Sequence, residues 1–209
     1  MLHLASRSPR RRELLARLGV PFAVLDVDIP EVRGAQETPE AYVTRVAAEK
    51  AGAGLAQLAD RGNAVVIGAD TEVVLDGEVF GKPAGADEAA AMLERLSGHV
   101  HRVLSGVAIL SGGRCLQALS VSDVEFAPLS PAWIAAYVES GEPMGKAGGY
   151  AIQGGAEAFV VRLEGSYSGV MGLPLHEAAR LLEQSGIQVL PGGRPAAPVH
   201  AAAGGGGRG

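Results

Sequence analysis

Residues 64–83 read AVVIGADTEVVLDGEVFGKP, and the fold turns on how this stretch is read. The opening AVVIGAD is an apolar, β-branched run too short for a helix, the pattern of a buried central strand. In TEVVLDGEVFGKP, Asp76-Gly77 stands between two apolar pairs, a strong hairpin signal. A buried central strand is therefore expected to end at Asp70 and to lead into a hairpin.

Outward from this centre, helices and strands interleave. Upstream, LHLAS predicts a short strand and PRRRELLARLG a helix closed by Gly19, with Leu14, Leu15 and Leu18 as its apolar face. FAVLDVDI predicts a second strand ending in acidic residues. TPEAYVTRVAAEKAGAGLAQLAD predicts a long helix capped by Thr38, begun by Pro39 and favoured by Glu40 in its first turn. Downstream, GADEAAAMLERLSG is helical, and HVHRVLSGVAIL with RCLQALSVSDVEFAPL makes a long hairpin about Gly112-Gly113. SPAWIAAYVESG is a helix whose Trp133 and Tyr137, four apart, read as core. AFVVRLEG is a strand, LPLHEAARLLEQSG a helix and IQVL a final strand. Hairpins in the middle of an otherwise alternating chain predict an α/β fold: a mixed, twisted sheet flanked by helices, its cleft near the ends of the first and central strands. Residues 1–190 are expected to form one domain. From Pro191, PGGRPAAPVHAAAGGGGRG has no periodic apolar face and predicts a disordered tail over 191–209.

The 209 residues carry a formal net charge of -5, so any cationic site must be local. A protein that coats nucleic acid would show a broad basic surface, which argues against that class of partner. Cys115 is the only cysteine, which excludes an internal disulfide, and it reads as a semi-buried thiol. MLHLASRSP lacks the basic and apolar regions of a signal peptide, and no run reaches membrane-spanning length. The expected compartment is the cytoplasm, without a membrane partner.

Against that background, ASRSPRRRE (residues 5–13) is unusual. Ser8-Pro9 is a good helix start, yet Arg10, Arg11 and Arg12 crowd cations where the helix dipole favours anions. A strand, a short loop and a helix start make a ready anion site. Ser6 and Ser8 add hydroxyls, and the arginines add forks that grip phosphate oxygens in pairs. A solvated basic turn is the plainer alternative. Asp70, at the end of the apolar run, could hold a divalent cation or take a proton from water, or merely cap a turn. Glu31 could share a metal with it, although Asp26, Asp28 and Glu31 equally suit a solvated edge. Lys50 has small neighbours in VAAEKAGAG that let another segment approach, and Lys82 is framed by Gly81 and Pro83. Either lysine could face phosphate or water. In KAGGYAIQGGAEAF, glycines bracket Tyr150 and Gln153, as they would beside a closely approached ligand, or in an ordinary loop with a packed Tyr. His99 and His101 alternate along a strand with no partner cluster in the sequence, and read as ordinary strand positions.

Together, LASRSPRRRELL, IGADTEVVLDGEVFGKP, MLERLSGHVHRVLSGVAI and KAGGYAIQGGAEAFVVRLEGSYSGVMGLPL, in this order, resemble the Maf family of nucleotide pyrophosphatases. The likeness runs from about Leu2 to Val189. It implies an elongated α/β structure, a central mixed sheet and two lobes about a cleft, shared with the inosine triphosphate pyrophosphatases. It implies hydrolysis of nucleoside triphosphates to monophosphate and pyrophosphate with Mg²⁺ or Mn²⁺. By motif, Asp70 matches the proton acceptor and shares the metal with Glu31; Glu31, Lys50 and Lys82 match residues around the phosphates; Ser8 and Arg11 match the anion loop. Arg10, Thr71 and Gln153 are similar to the branch acting on dTTP and UTP. Glu72 stands where that family commonly has an apolar residue, and Ser105 where it has Thr. Glu72 could turn to solvent or alter the cleft edge. Alternatives are a nucleotide-binding regulator of septum formation without turnover, and the same chemistry on noncanonical nucleotides. The likeness is compatible with a homodimer, and it leaves Arg12 to solvent.

Overall fold

The computed structural model describes residues 1–190, so the tail expected over 191–209 lies outside the described residues. A seven-stranded sheet runs in the order β2-β1-β3-β5-β6-β7, with β4 also on β3. The strands are β1 (Leu2–Ala5), β2 (Phe22–Leu25), β3 (Val65–Leu75), β4 (Glu78–Phe80), β5 (Val100–Ser111), β6 (Arg114–Phe126) and β7 (Val160–Glu164). β1 pairs in parallel with β2 and β3, and the remaining pairings are antiparallel. The mixed, helix-flanked sheet expected from the sequence is therefore present, and residues 64–83 are its centre.

One edge of β3 is paired with β5 from Val65 to Val74. On the other edge, β1 reaches only to Ile67 and β4 begins at Val73. Between them, residues 68–72 have no strand partner on that edge, which leaves a gap in the sheet. Because side chains alternate along a strand, the gap splits its residues. Val66 and Val74 pack toward the helix α2 (Pro39–Ala56), whereas Ile67, Ala69 and Val73 join the main core. Asp70 and Glu72 thus share the α2 face, and Thr71 faces the other way.

α2 lies unusually close to the sheet because glycine lines the contact. A Cβ on Gly68 would stand 2.3 Å from the Ala47 carbonyl oxygen, and one on Gly106 would stand 2.6 Å from that of Val43. No other residue permits that approach. The opposite face buries Leu4, Phe22, Ile67, Val107 and Ile109. They lie beneath α1 (Pro9–Ala16), α3 (Ala86–Leu96), α4 (Pro131–Glu139), α5 (Tyr167–Met171) and α6 (Leu175–Gln184).

Five local expectations are corrected. β3 does not end at Asp70 but runs on to Leu75, because β5 pairs with it as far as Val74. β2 stops at Leu25, because Asp26 and Asp28 turn out to meet Arg7. Residues 187–190 form no strand: the Ile187 amide donates to Leu182 O at 2.9 Å and so closes α6. Cys115 is exposed, since the β5–β6 hairpin tip runs past the core. Trp133 is half exposed at the first turn of α4 and covers Phe159 from outside at 5.8 Å, while Tyr137 is buried as expected. Among the described residues, no helix is long and apolar enough to cross a membrane.

Candidate active site

A cleft of about 1060 Å³ opens over the gap in β3. Ser8, Arg10, Arg11, Glu31, Lys50, Asp70, Thr71, Lys82 and Gln153 all line it. Five separate stretches of sequence therefore converge on one concavity.

The α2 face holds a chain of charges. Lys50, buried on α2, donates to Asp70 Oδ1 at 2.7 Å and lies 2.6 Å from Glu31 Oε1. Lys82, exposed on the turn after β4, reaches Glu31 Oε2 at 3.1 Å. Burial works against the Glu31 carboxylate, but the two lysines outweigh it and hold its pKa below the usual range. Lys50 stands between Glu31 and Asp70, so one ammonium bridges the two carboxylates expected to share a metal. Asp70 Oδ2 is buried and has no hydrogen-bond partner among the described residues.

Glu72 does not turn to solvent. It is 8% exposed, with Oε2 unpartnered, and burial plus the charges of Asp70 and Glu31 pushes its carboxyl up to about 8. Tyr42, two turns before Lys50 on α2, is buried beside these groups; burial and the charges of Glu72, Asp70 and Glu31 raise its pKa. Sequence reading missed Tyr42, although its spacing from Lys50 places both on one helical face.

The other wall is cationic. Ser8 caps α1, its Oγ accepting from the Arg11 amide at 3.4 Å, and Ser6 Oγ accepts from the Ser8 amide at 3.1 Å. Arg11 crosses to the loop after α5: Nε donates to Gly172 O at 2.8 Å, and Nη2 donates to Thr71 Oγ1 at 3.4 Å. Thr71 also meets Ser105 Oγ at 2.9 Å, and Ser105 donates to Gly169 O at 2.7 Å. Burial lowers the Arg11 pKa, and nearby Asp70, Glu31 and Glu72 oppose it. Burial, with Arg11 alongside, also lowers that of Arg10. Lys146 was missed within KAGGY; burial and the neighbouring Arg10 depress it in turn. Arg10, Arg11 and Lys146 make no ion pair among the described residues. Arg12 instead lines a smaller hollow with Arg7, Val24 and Asp26. Arg10 and Arg11 thus line the cleft, whereas Arg12 is half-buried beside this second hollow rather than left to solvent.

Two expectations resolve toward packing. Tyr150 is buried, its hydroxyl 2.8 Å from His101 Nε2, with Phe126 edge-on to both rings. His99 is exposed and bonded to Ser97 O, so the histidines do not converge. Gln153 is exposed at the rim.

Unpaired cations on one wall suit an anionic ligand, and buried carboxylates on the other suit a cation or a proton. Comparison with known proteins agrees in extent. The protein is 62% identical over 183 residues to the nucleoside triphosphate pyrophosphatase of Xylella fastidiosa (strain 9a5c), covering 87% of this chain and 97% of that one. It is 59% identical over 189 residues to the dTTP/UTP pyrophosphatase of Xanthomonas euvesicatoria pv. vesicatoria (strain 85-10), covering 89% and 99%. The solved Staphylococcus aureus Ham1 protein overlaps more loosely, with a TM-score of 0.43 and 16% identity over 60% of this chain and 71% of that one. The family described as Maf-like protein matches residues 1–185, and the chain belongs to the Maf family.

Proposed function

We propose that this protein is a nucleoside triphosphate pyrophosphatase acting on dTTP and UTP, releasing the monophosphate and pyrophosphate. The observation that carries the reading is the buried Lys50–Asp70 pair facing the unpaired Arg10 and Arg11 across one cleft. Relatives of about this length, 62% and 59% identical, bear those activities in their names.

In this reading a water oxygen attacks the α-phosphorus in line with the α–β bridging oxygen. The bond from phosphorus to that oxygen breaks, and pyrophosphate leaves with the electron pair. Asp70 takes the water's proton, while Lys50, bonded to Oδ1, fixes the carboxylate's aim. Arg11, Lys50 and Lys82 offset the charge building on the phosphate oxygens, the main catalytic need in phosphoryl transfer. Arg11 is pre-aimed by Gly172 and Thr71. Ser8 keeps its hydroxyl proton free to donate to phosphate, because its oxygen only accepts in the cap. Arg10, Thr71 and Gln153 select the base.

Asp70 and Glu31 supply the oxygen donors that Mg²⁺ or Mn²⁺ prefers. Asp70 Oδ2 fits because it is buried and unpartnered, and Glu31 can join if Lys82 turns to substrate. Among the described residues no group of three or more His, Cys, Asp or Glu is arranged to hold a metal alone. Substrate oxygens and water would complete the shell. When bound, such a cation would neutralise phosphate charge.

Hydrolysis of dTTP and UTP in ¹⁸O-water tests the reading. Label in the monophosphate supports attack at the α-phosphorus; label in pyrophosphate, or release of diphosphate and inorganic phosphate, contradicts it.

A further inference from the structure

The Glu72 side chain belongs to the cleft wall, yet it takes no part in the steps above. It is 8% exposed, enters no ion pair among the described residues, and leaves Oε2 without a hydrogen-bond partner. A carboxylate stripped of water and given no donor is costly. Left alone, the group escapes that cost by keeping its proton; a bound cation would stabilise the ionised form instead.

Its position favours a cation. Asp70 and Glu72 stand two apart on β3, so both side chains leave the strand on the α2 face. Asp70 is 4% exposed, and its Oδ2 is unpartnered as well. These are two buried, unpartnered carboxyl oxygens on one strand face, beside the gap in the sheet edge at the cleft. The two lysines on this side of the cleft are already committed. Lys50 serves Asp70 Oδ1 and Glu31 Oε1, and Lys82 serves Glu31 Oε2. Glu31 therefore has each oxygen engaged by a lysine, whereas Asp70 and Glu72 each keep one without a donor.

We infer that Glu72 is a metal-ligating residue that shares a divalent cation with Asp70, each through its unpartnered oxygen. The inference rests on the proposed function only in that the cation is the one that reaction uses. A hard cation held by one or two carboxylates completes its shell with water and phosphate oxygens, which accords with the absence of a three-residue metal group among the described residues.

The test is Mn²⁺ binding to the full chain, read as loss of the free-ion paramagnetic resonance signal. It is run with and without α,β-imido-dUTP, in which NH replaces the scissile oxygen. Glu72→Gln and Asp70→Asn are each expected to weaken Mn²⁺ at least about tenfold, the scale on which lost coordination support is felt. A Glu72→Gln affinity within twofold of wild type in both conditions overturns the inference. Should that variant fail to fold, Glu72→Asp replaces it: a shortened arm that weakens Mn²⁺ more than threefold supports the inference, and an unchanged affinity overturns it. Wild-type turnover of dTTP and UTP is measured in parallel. Mn²⁺ lost in Glu72→Gln while the wild type leaves both nucleotides intact overturns the functional reading alone. Normal Mn²⁺ binding in Glu72→Gln, with an active wild type, overturns the inference alone.

Discussion

Lys50 donates to Asp70 across 2.7 Å with both side chains at least nine-tenths buried. The pair joins a helix to the open gap of the central strand. Removing one member of a buried pair leaves the other charge uncompensated, at a cost of about 3 kcal/mol or more. Lys50→Met is therefore expected to lower stability by about that amount in urea unfolding. It should also reduce kcat at least about a hundredfold, because Asp70 loses its orientation. A stable but inactive variant would leave Lys50 a role in chemistry alone.

The approach of α2 depends on Gly68. Gly68→Ala would place a methyl 2.3 Å from the Ala47 carbonyl oxygen, in backbone that cannot swing aside. A loss of about 3 kcal/mol is expected, at the upper end for overpacking. Activity should fall with it as Lys50 moves off Asp70. Gly81→Ala meets nothing within 4 Å and should leave the urea midpoint in place.

Arg11 is held by two acceptors from different elements, Gly172 O and Thr71 Oγ1. Lysine keeps the charge but lacks the fork. Arg11→Lys should keep the fold and lower kcat/KM for dTTP about a hundredfold. Thr71→Val should lower it about tenfold, since one hydrogen bond to a charged group is removed. Steady-state kinetics on both variants, with circular dichroism to verify folding, checks the order.

His101 makes stability depend on pH. Burial lowers its pKa from 6.5 to about 4, so the folded protein resists a proton that the unfolded chain accepts. The unfolded state binds more protons between those values, and stability must fall as pH drops from about 6.5 to about 4. The full effect is about 3 kcal/mol. His101→Gln should flatten this part of the curve of unfolding midpoint against pH. An unchanged slope would place the acid sensitivity elsewhere.

Much of the fold was legible because apolar period and turn chemistry agreed along β3 and its hairpin, and Ser-Pro starts marked α1 and α4. The convergence of Ser8, Glu31, Lys50, Asp70, Lys82 and Gln153 was suggested by motif order, since spacing within one chain does not tell which elements meet. The errors have physical causes. IQVL carries strand-like residues, but its first amide is taken by the end of α6. Trp133 has core spacing, but its helical turn lies past the core's edge. The orientation of Glu72 could not be read until the gap between β1 and β4 was known, because only that gap gives the α2 face of β3 an opening to the cleft.

The central claim is that Asp70 accepts the proton from water attacking the α-phosphorus of dTTP or UTP. Turnover of Asp70→Asn, with products resolved and folding verified by thermal melting, tests it most directly. The expected result is wild-type release of monophosphate and pyrophosphate, and a folded variant slowed about a thousandfold, within the range for losing a general base. A folded Asp70→Asn protein that turns over at near the wild-type rate would contradict it.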